Sequence, residues 1–125
     1  MTVPAISLGA VNLEAEDPHA LARFWATVTG GTVMPAGEVA FLQPASPAGF
    51  GMFFQPRGDE PPARQTMHLD LTVPWGSRTT EVARLTDLGA TWRWDVLDEE
   101  PHVQWTTLAD PEGNLFCVAE HVPQP

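Results

Sequence analysis

The chain repeats one order of secondary structure, and that repeat narrows the available folds more than any single motif. A stretch rich in Pro, Gly and charge, PRGDEPPARQ at residues 56–65, separates two halves. On each side the pattern reads strand, helix, then three strands. In the first half, residues 6–14 (ISLGAVNLE) alternate as a strand. Asp17 can cap a helix and Pro18 suits its first position, where no N–H partner is needed. Leu21, Phe24, Trp25 and Val28 give that helix one apolar face, and Gly30-Gly31 ends it. Residues 32–34 and 39–43 form a hairpin around Pro35-Ala36-Gly37, and residues 50–55 form a further strand whose glycines mark a bulge or a close backbone approach.

The second half follows the same plan. Residues 67–73 (MHLDLTV) are a strand, and Ser77 can cap a helix carrying Val82, Leu85 and Leu88 up to Gly89. Strands follow at residues 91–97, 103–109 and 115–120. The segment DPEGN at 110–114 closes the last hairpin, with Gly113 supplying the positive φ. The letters echo too: Ala22-Arg23-Phe24 ahead of Gly30-Gly31-Thr32, and Ala83-Arg84-Leu85 ahead of Gly89-Ala90-Thr91. The expected fold is α+β: one domain of two βαβββ modules, at about residues 5–57 and 66–121, with helices near 18–29 and 78–88. Helices on the outside would leave two sheets curled around a shared cleft.

The strand faces carry the chemistry. In MHLDLTV the apolar Met67, Leu69, Leu71 and Val73 alternate with His68, Asp70 and Thr72, so His68 and Asp70 share one face. Asn12 and Glu14 alternate with Val11 and Leu13 in the same way. If helices cover the apolar faces, these polar side chains line the cleft, where they need a hydrogen-bonding partner: water or a ligand. An unperturbed imidazole changes charge near neutrality, so His68, with Asp70 or Glu14, is a candidate acid–base group. Cys117 is a candidate wall residue; the plainer reading is a small buried hydrophobe. Of five tryptophans, Trp92 and Trp94 are expected on one strand face, with Trp105 on the next strand. They either fill a wide core or offer flat surfaces to an aromatic or cationic ligand.

Composition removes several function classes. Six Lys+Arg against sixteen Asp+Glu give a net charge of −10, which repels phosphate backbones and argues against a nucleic-acid partner. No apolar run reaches membrane-span length, and no basic-then-apolar leader is legible. The single cysteine excludes an intrachain disulfide, which suits a reducing compartment or a disulfide-free secreted protein; the expectation is a cytoplasmic protein. No phosphate-cradling glycine loop and no Ser-His-Asp signature is present.

The stretches EDPHALARFWATVTGG (16–31), MHLDLTV (67–73), VARLTDLGAT (82–91) and DPEGNLFCV (110–118) resemble the vicinal oxygen chelate superfamily. That is the group of glyoxalase I, bleomycin-resistance proteins and extradiol dioxygenases. The resemblance implies paired βαβββ modules, a homodimer and a small-molecule substrate. Metal-using members place His or Gln on the first strand, Glu on the fourth, His on the fifth and Glu on the eighth. The matching positions here are Ala10, a residue near Phe54 or Gln55, His68 and Cys117. Only His68 is a strong ligand of the usual kind, so the expectation is no bound metal or other cofactor. The protein would then bind or transform a small, partly aromatic metabolite. Its site would comprise His68, Asp70 and Glu14 as acid–base groups and Asn12, Trp94, Trp105 and Cys117 as ligand contacts. The alternative is a divalent-metal lyase, isomerase or dioxygenase with a rearranged site using His68. From another class, a structural module with a collapsed cleft is the third reading.

Overall fold

The computed structural model of the protein describes residue 5, residues 8–58, residue 65 and residues 67–123. It divides into two compact units, Met1–Glu60 and Pro61–Pro125. The first contains β1 (Ala10–Ala15), α1 (Pro18–Thr29), β2 (Thr32–Ala36), β3 (Val39–Gln43) and β4 (Gly51–Pro56). The second contains β5 (Leu69–Val73), α2 (Arg78–Asp87), β6 (Thr91–Val96), β7 (Val103–Ala109) and β8 (Leu115–His121). Each unit is thus one βαβββ module. The sheet orders are β1-β4-β3-β2 and β5-β8-β7-β6, with the outer pairs β1–β4 and β5–β8 parallel and the rest antiparallel. Part of the expected first strand (residues 6 and 7), most of the separating stretch and the last two residues lie outside the described residues.

Local chemistry accounts for the first module's helix. Asp17 accepts a hydrogen bond from the Ala20 N–H at 3.0 Å, Pro18 occupies the first turn, and Gly30 closes the helix in the left-handed region at φ 80°. Leu21, Ala22, Phe24 and Trp25 are buried, and the Phe24 and Trp25 rings meet edge to face at 5.5 Å. Each large apolar side chain in that row contributes about 1.5–3 kcal/mol of burial. Gly31 serves a different purpose from Gly30. A Cβ there would stand 2.5 Å from the Gln43 carbonyl oxygen and 3.0 Å from Leu42 Cδ1, so the chain leaving α1 passes β3 too closely for a side chain.

The second helix is not capped by Ser77 as the sequence predicts. Ser77 makes no side-chain cap bond. Glu120 of β8 instead accepts hydrogen bonds from the Gly76 and Arg78 N–H groups, both at 3.1 Å, and from Gln104 Nε2 at 2.8 Å. A buried carboxylate from a distant strand therefore supplies the negative charge that a helix N-terminus favours. The final hairpin follows expectation. Asp110 accepts from the Glu112 and Asn114 N–H groups, and Gly113 adopts φ 88°.

Register sets the two faces of each sheet. Val11 and Leu13 lie opposite Met52 and Phe54, and Leu69 and Leu71 opposite Phe116 and Val118. Met52, Phe54, Phe116 and Val118 are all buried, so the apolar halves of β1 and β5 turn to the core side as expected. Among the described residues no helix is long and apolar enough to cross a membrane.

Candidate ligand cavity on the second sheet

The polar face of the second sheet is organised in rows. Because β5 pairs in parallel with β8, and β8 pairs antiparallel with β7, directly opposite residues share a face. One row runs Asp70, Cys117, Thr107; the next runs Thr72, Ala119, Trp105; Val103 and His121 are opposite each other beyond them. His68 precedes β5 by one residue and keeps the alternation with Asp70. His68, Asp70, Thr72, Val103, Trp105, Cys117, Ala119 and His121 line one cavity of about 340 Å³. Its surface is mainly apolar, from Val103, Trp105 and Ala119, with imidazole, carboxylate and thiol groups converging on it. That is the usual make-up of a small-molecule pocket.

The polar groups meet closely. One ligating atom each from His68, Asp70 and Cys117 lies within 4.8 Å of the others. His68 and Asp70 are exposed to the cavity mouth, whereas Cys117 is buried. The Cys117 Sγ and Thr107 Oγ1 are 3.2 Å apart. Burial pushes the Cys117 thiol up; the hydrogen bond with Thr107 pulls against this, while the charge of Asp70 and its hydrogen bond with the thiol reinforce it. At neutral pH Cys117 is thus a thiol, not a standing nucleophile. A wider groove of about 470 Å³ runs between Trp75 and the acidic turn Asp98, Glu99 and Glu100. The metal-capable grouping is not there.

Of the residues singled out in the sequence, the cavity gathers His68, Asp70, Trp105 and Cys117. Asn12 and Glu14 are not among its lining residues. They sit on the corresponding face of the first sheet, where Asn12 accepts a hydrogen bond from Gln55 Nε2 at 3.1 Å and Glu14 lies opposite Gln55. Of the two fourth-strand residues considered for a ligand, Phe54 is fully buried on the core side and only Gln55 shares the Asn12 face. Internal register puts Phe53 opposite Asn12, as Cys117 is opposite Asp70, so that position carries an unreactive ring.

Trp92 and Trp94 do not share a face. A register shift between them sets Trp92 opposite Leu108 and Trp94 opposite Thr107, on opposite sides of the sheet. Both remain about half exposed, at 53% and 47%. Neither lines the cavity, though Trp94 belongs to the Thr107 side. Among the tryptophans only Trp25 fills the core. Thr72, Val103, Ala119 and His121 were not singled out in the sequence. The signal for them was the same period of two: Thr72 continues His68–Asp70, His121 continues Cys117–Ala119, and Val103 precedes Trp105.

Comparison with known proteins agrees with this architecture. The family described as Glyoxalase-like domain matches residues 10–119. Among solved structures, a glyoxalase/bleomycin resistance protein/dioxygenase family enzyme from Burkholderia phytofirmans PsJN superposes with a TM-score of 0.80 at 18% identity, covering 94% of this chain and 100% of that one. A glyoxalase-related enzyme from Fulvimarina pelagi gives 0.71 at 22% identity, with 92% and 88% covered. The fosfomycin resistance protein FosX from Listeria monocytogenes gives 0.72 at 13% identity, with 97% and 96% covered. No curated protein matches the chain in a sequence search. These likenesses establish the fold, and the match over nearly the whole chain establishes the family: the protein belongs to the glyoxalase-like family of the vicinal oxygen chelate superfamily.

Proposed function

We propose that this protein binds a small, partly aromatic organic molecule in the His68 cavity of the second module and acts on it by acid–base chemistry. The observation that carries this reading is the cavity itself: apolar walls around a converging imidazole, carboxylate and thiol. A ligand ring would lie against Trp105, gaining about 0.5–1.5 kcal/mol beyond its burial. His68 and Asp70, on one strand face, would move or hold a proton at the ligand's polar group. Asn12, Glu14 and Trp94 lie outside the cavity lining and are assigned no contact in it.

The reading also includes a homodimer, because β2 and β6 are end strands of their sheets and long uncovered edges invite pairing. A second reading, a divalent-metal lyase, isomerase or dioxygenase, is favoured by the three metal-capable groups at the cavity. One structural neighbour, a variant of FosX from Listeria monocytogenes, is complexed with Mn(II) and a dihydroxypropylphosphonic acid. The test of the main reading is a screen of small phenols, catechols and aromatic acids, read by tryptophan fluorescence and melting temperature. Binding that weakens in both His68→Ala and Trp105→Leu supports it. Binders indifferent to both substitutions place the site elsewhere.

A further inference from the structure

Cys117 is the one cysteine of the chain, and the acid–base reading assigns it no step. It is not an isolated thiol. It lines the same cavity as Trp105 and stands directly opposite Asp70 on β5 and Thr107 on β7. Its sulfur lies within 4.8 Å of a ring nitrogen of His68 and a carboxylate oxygen of Asp70. We infer that Cys117 is a nucleophile toward a neutral aromatic α,β-unsaturated carbonyl compound seated in this cavity, with His68 taking up the thiol proton as the bond forms. The inference rests on the cavity being the functional site, and it names a substrate class for that site.

The surroundings keep the sulfur protonated and in place. Burial and Asp70 both favour the neutral thiol, and Thr107 Oγ1 holds the sulfur from the other side at 3.2 Å. Such a thiol is slow toward a passing electrophile, because the thiolate is the attacking form. A base beside it removes that bar for a bound one, since an adjacent general base activates a nucleophile that is weak at its own pKa. An unperturbed imidazole exchanges its proton near neutrality, which suits His68 to the task. The step balances with no further reactant. The sulfur bonds to the carbon β to the carbonyl, and the C=C π pair moves onto the carbonyl oxygen as an enolate. The thiol proton passes to His68 and from there to the enolate. No external oxidant or reductant is needed. Two features choose the substrate. Trp105 lies in the row next to Cys117 and Thr107, two residues along the strand or roughly 6.5 Å, so an aryl ring against the indole carries its conjugated carbon toward the sulfur. Among the described residues lining the cavity none is Lys or Arg, and the chain carries a charge of −10, so a neutral compound is favoured over a carboxylate or a phosphate.

The test incubates the full chain, kept in a metal chelator, with the aryl enone benzylideneacetone. The expected product carries about one added enone per chain, mapped to Cys117 by peptide mass analysis, and forms at a rate that saturates with enone concentration because binding comes first. Benzylacetone, the counterpart without the C=C bond, should change the tryptophan fluorescence and compete with the reaction. Both measurements use the wild-type chain, so neither needs a variant to fold. His68→Ala should slow the saturated rate about 100-fold or more, the scale of a lost general base. No adduct on Cys117, a rate that stays proportional to enone with no competition from benzylacetone, or a His68→Ala chain that reacts as fast as wild type at saturation would each overturn the inference. Benzylacetone binding with no adduct from the enone removes the nucleophile and leaves the cavity standing as a binding site; binding of neither compound removes both.

Discussion

Glu120→Gln should expose how the second module holds its helix. Glu120 is buried and accepts three hydrogen bonds, two from the N-terminus of α2 and one from Gln104. Its Oε1 also lies 3.6 Å from Arg78 Nε. Arg78 is itself buried; its Nη1 donates to Thr106 at 2.6 Å and lies 3.5 Å from Asp95, while its Nε has no hydrogen-bond partner among the described residues. A glutamine keeps the shape and one neutral acceptor but removes the charge opposite Arg78. A hydrogen bond to a charged group contributes about 1.5–3 kcal/mol, and breaking one side of a buried pair costs about 3–5 kcal/mol. Partial retention of the helix bonds brings the expected loss to roughly 3 kcal/mol at pH 7. Burial alone would raise the Glu120 carboxyl. The bonds from Gln104, Arg78 and Gly76 and the Arg78 charge outweigh it and hold the group below its ordinary value. A depressed carboxyl stabilises the fold above its unfolded pKa, about 4.3, and that contribution disappears as pH falls through the lower folded value. Urea unfolding should therefore show a gap between wild type and variant that is constant from pH 8 to about 5 and closes in stronger acid. A variant within ~0.5 kcal/mol of wild type at pH 7, or a gap indifferent to acid, would refute this.

Three further outcomes follow from other parts of the molecule. Gly31→Ala should cost about 1–3 kcal/mol in urea unfolding, because the new methyl meets the Gln43 carbonyl oxygen; an unchanged midpoint would contradict the close approach. Asp70→Asn removes a charge and a hydrogen bond that favour the Cys117 thiol, so the pH midpoint for iodoacetamide alkylation should fall; a midpoint that stays or rises would contradict the assigned cause. Sedimentation at micromolar concentration should find a dimer, and a monomer alone would remove that part of the proposal.

Much of the fold was legible because local chemistry decided it. Asp17-Pro18 and Gly30 bracket α1, DPEGN makes its turn with its own side chains, and β7 is bounded by polar turns. Features set by distant partners were not legible. Ser77 looks like a cap, yet the capping role goes to Glu120, 42 residues from Arg78, which only folding brings near. Trp92 and Trp94 alternate in the sequence, and an irregularity in pairing separates their faces. The site divides the same way. Period two put His68 beside Asp70, but the pairing of a module's first and last strands was needed to bring Cys117, Ala119 and His121 against them.

The central claim is that the His68 face of the second sheet is where this protein meets its small molecule. Amide, indole and imidazole NMR resonances of the assigned protein, followed during titration with the aromatic panel, test it most directly. The account predicts that the largest shifts fall on the Trp105 indole, the His68 and His121 rings, and the amides of Thr72, Cys117 and Ala119. Shifts centred instead on Asn12, Glu14 and Gln55, or on the Trp75 groove, would contradict it.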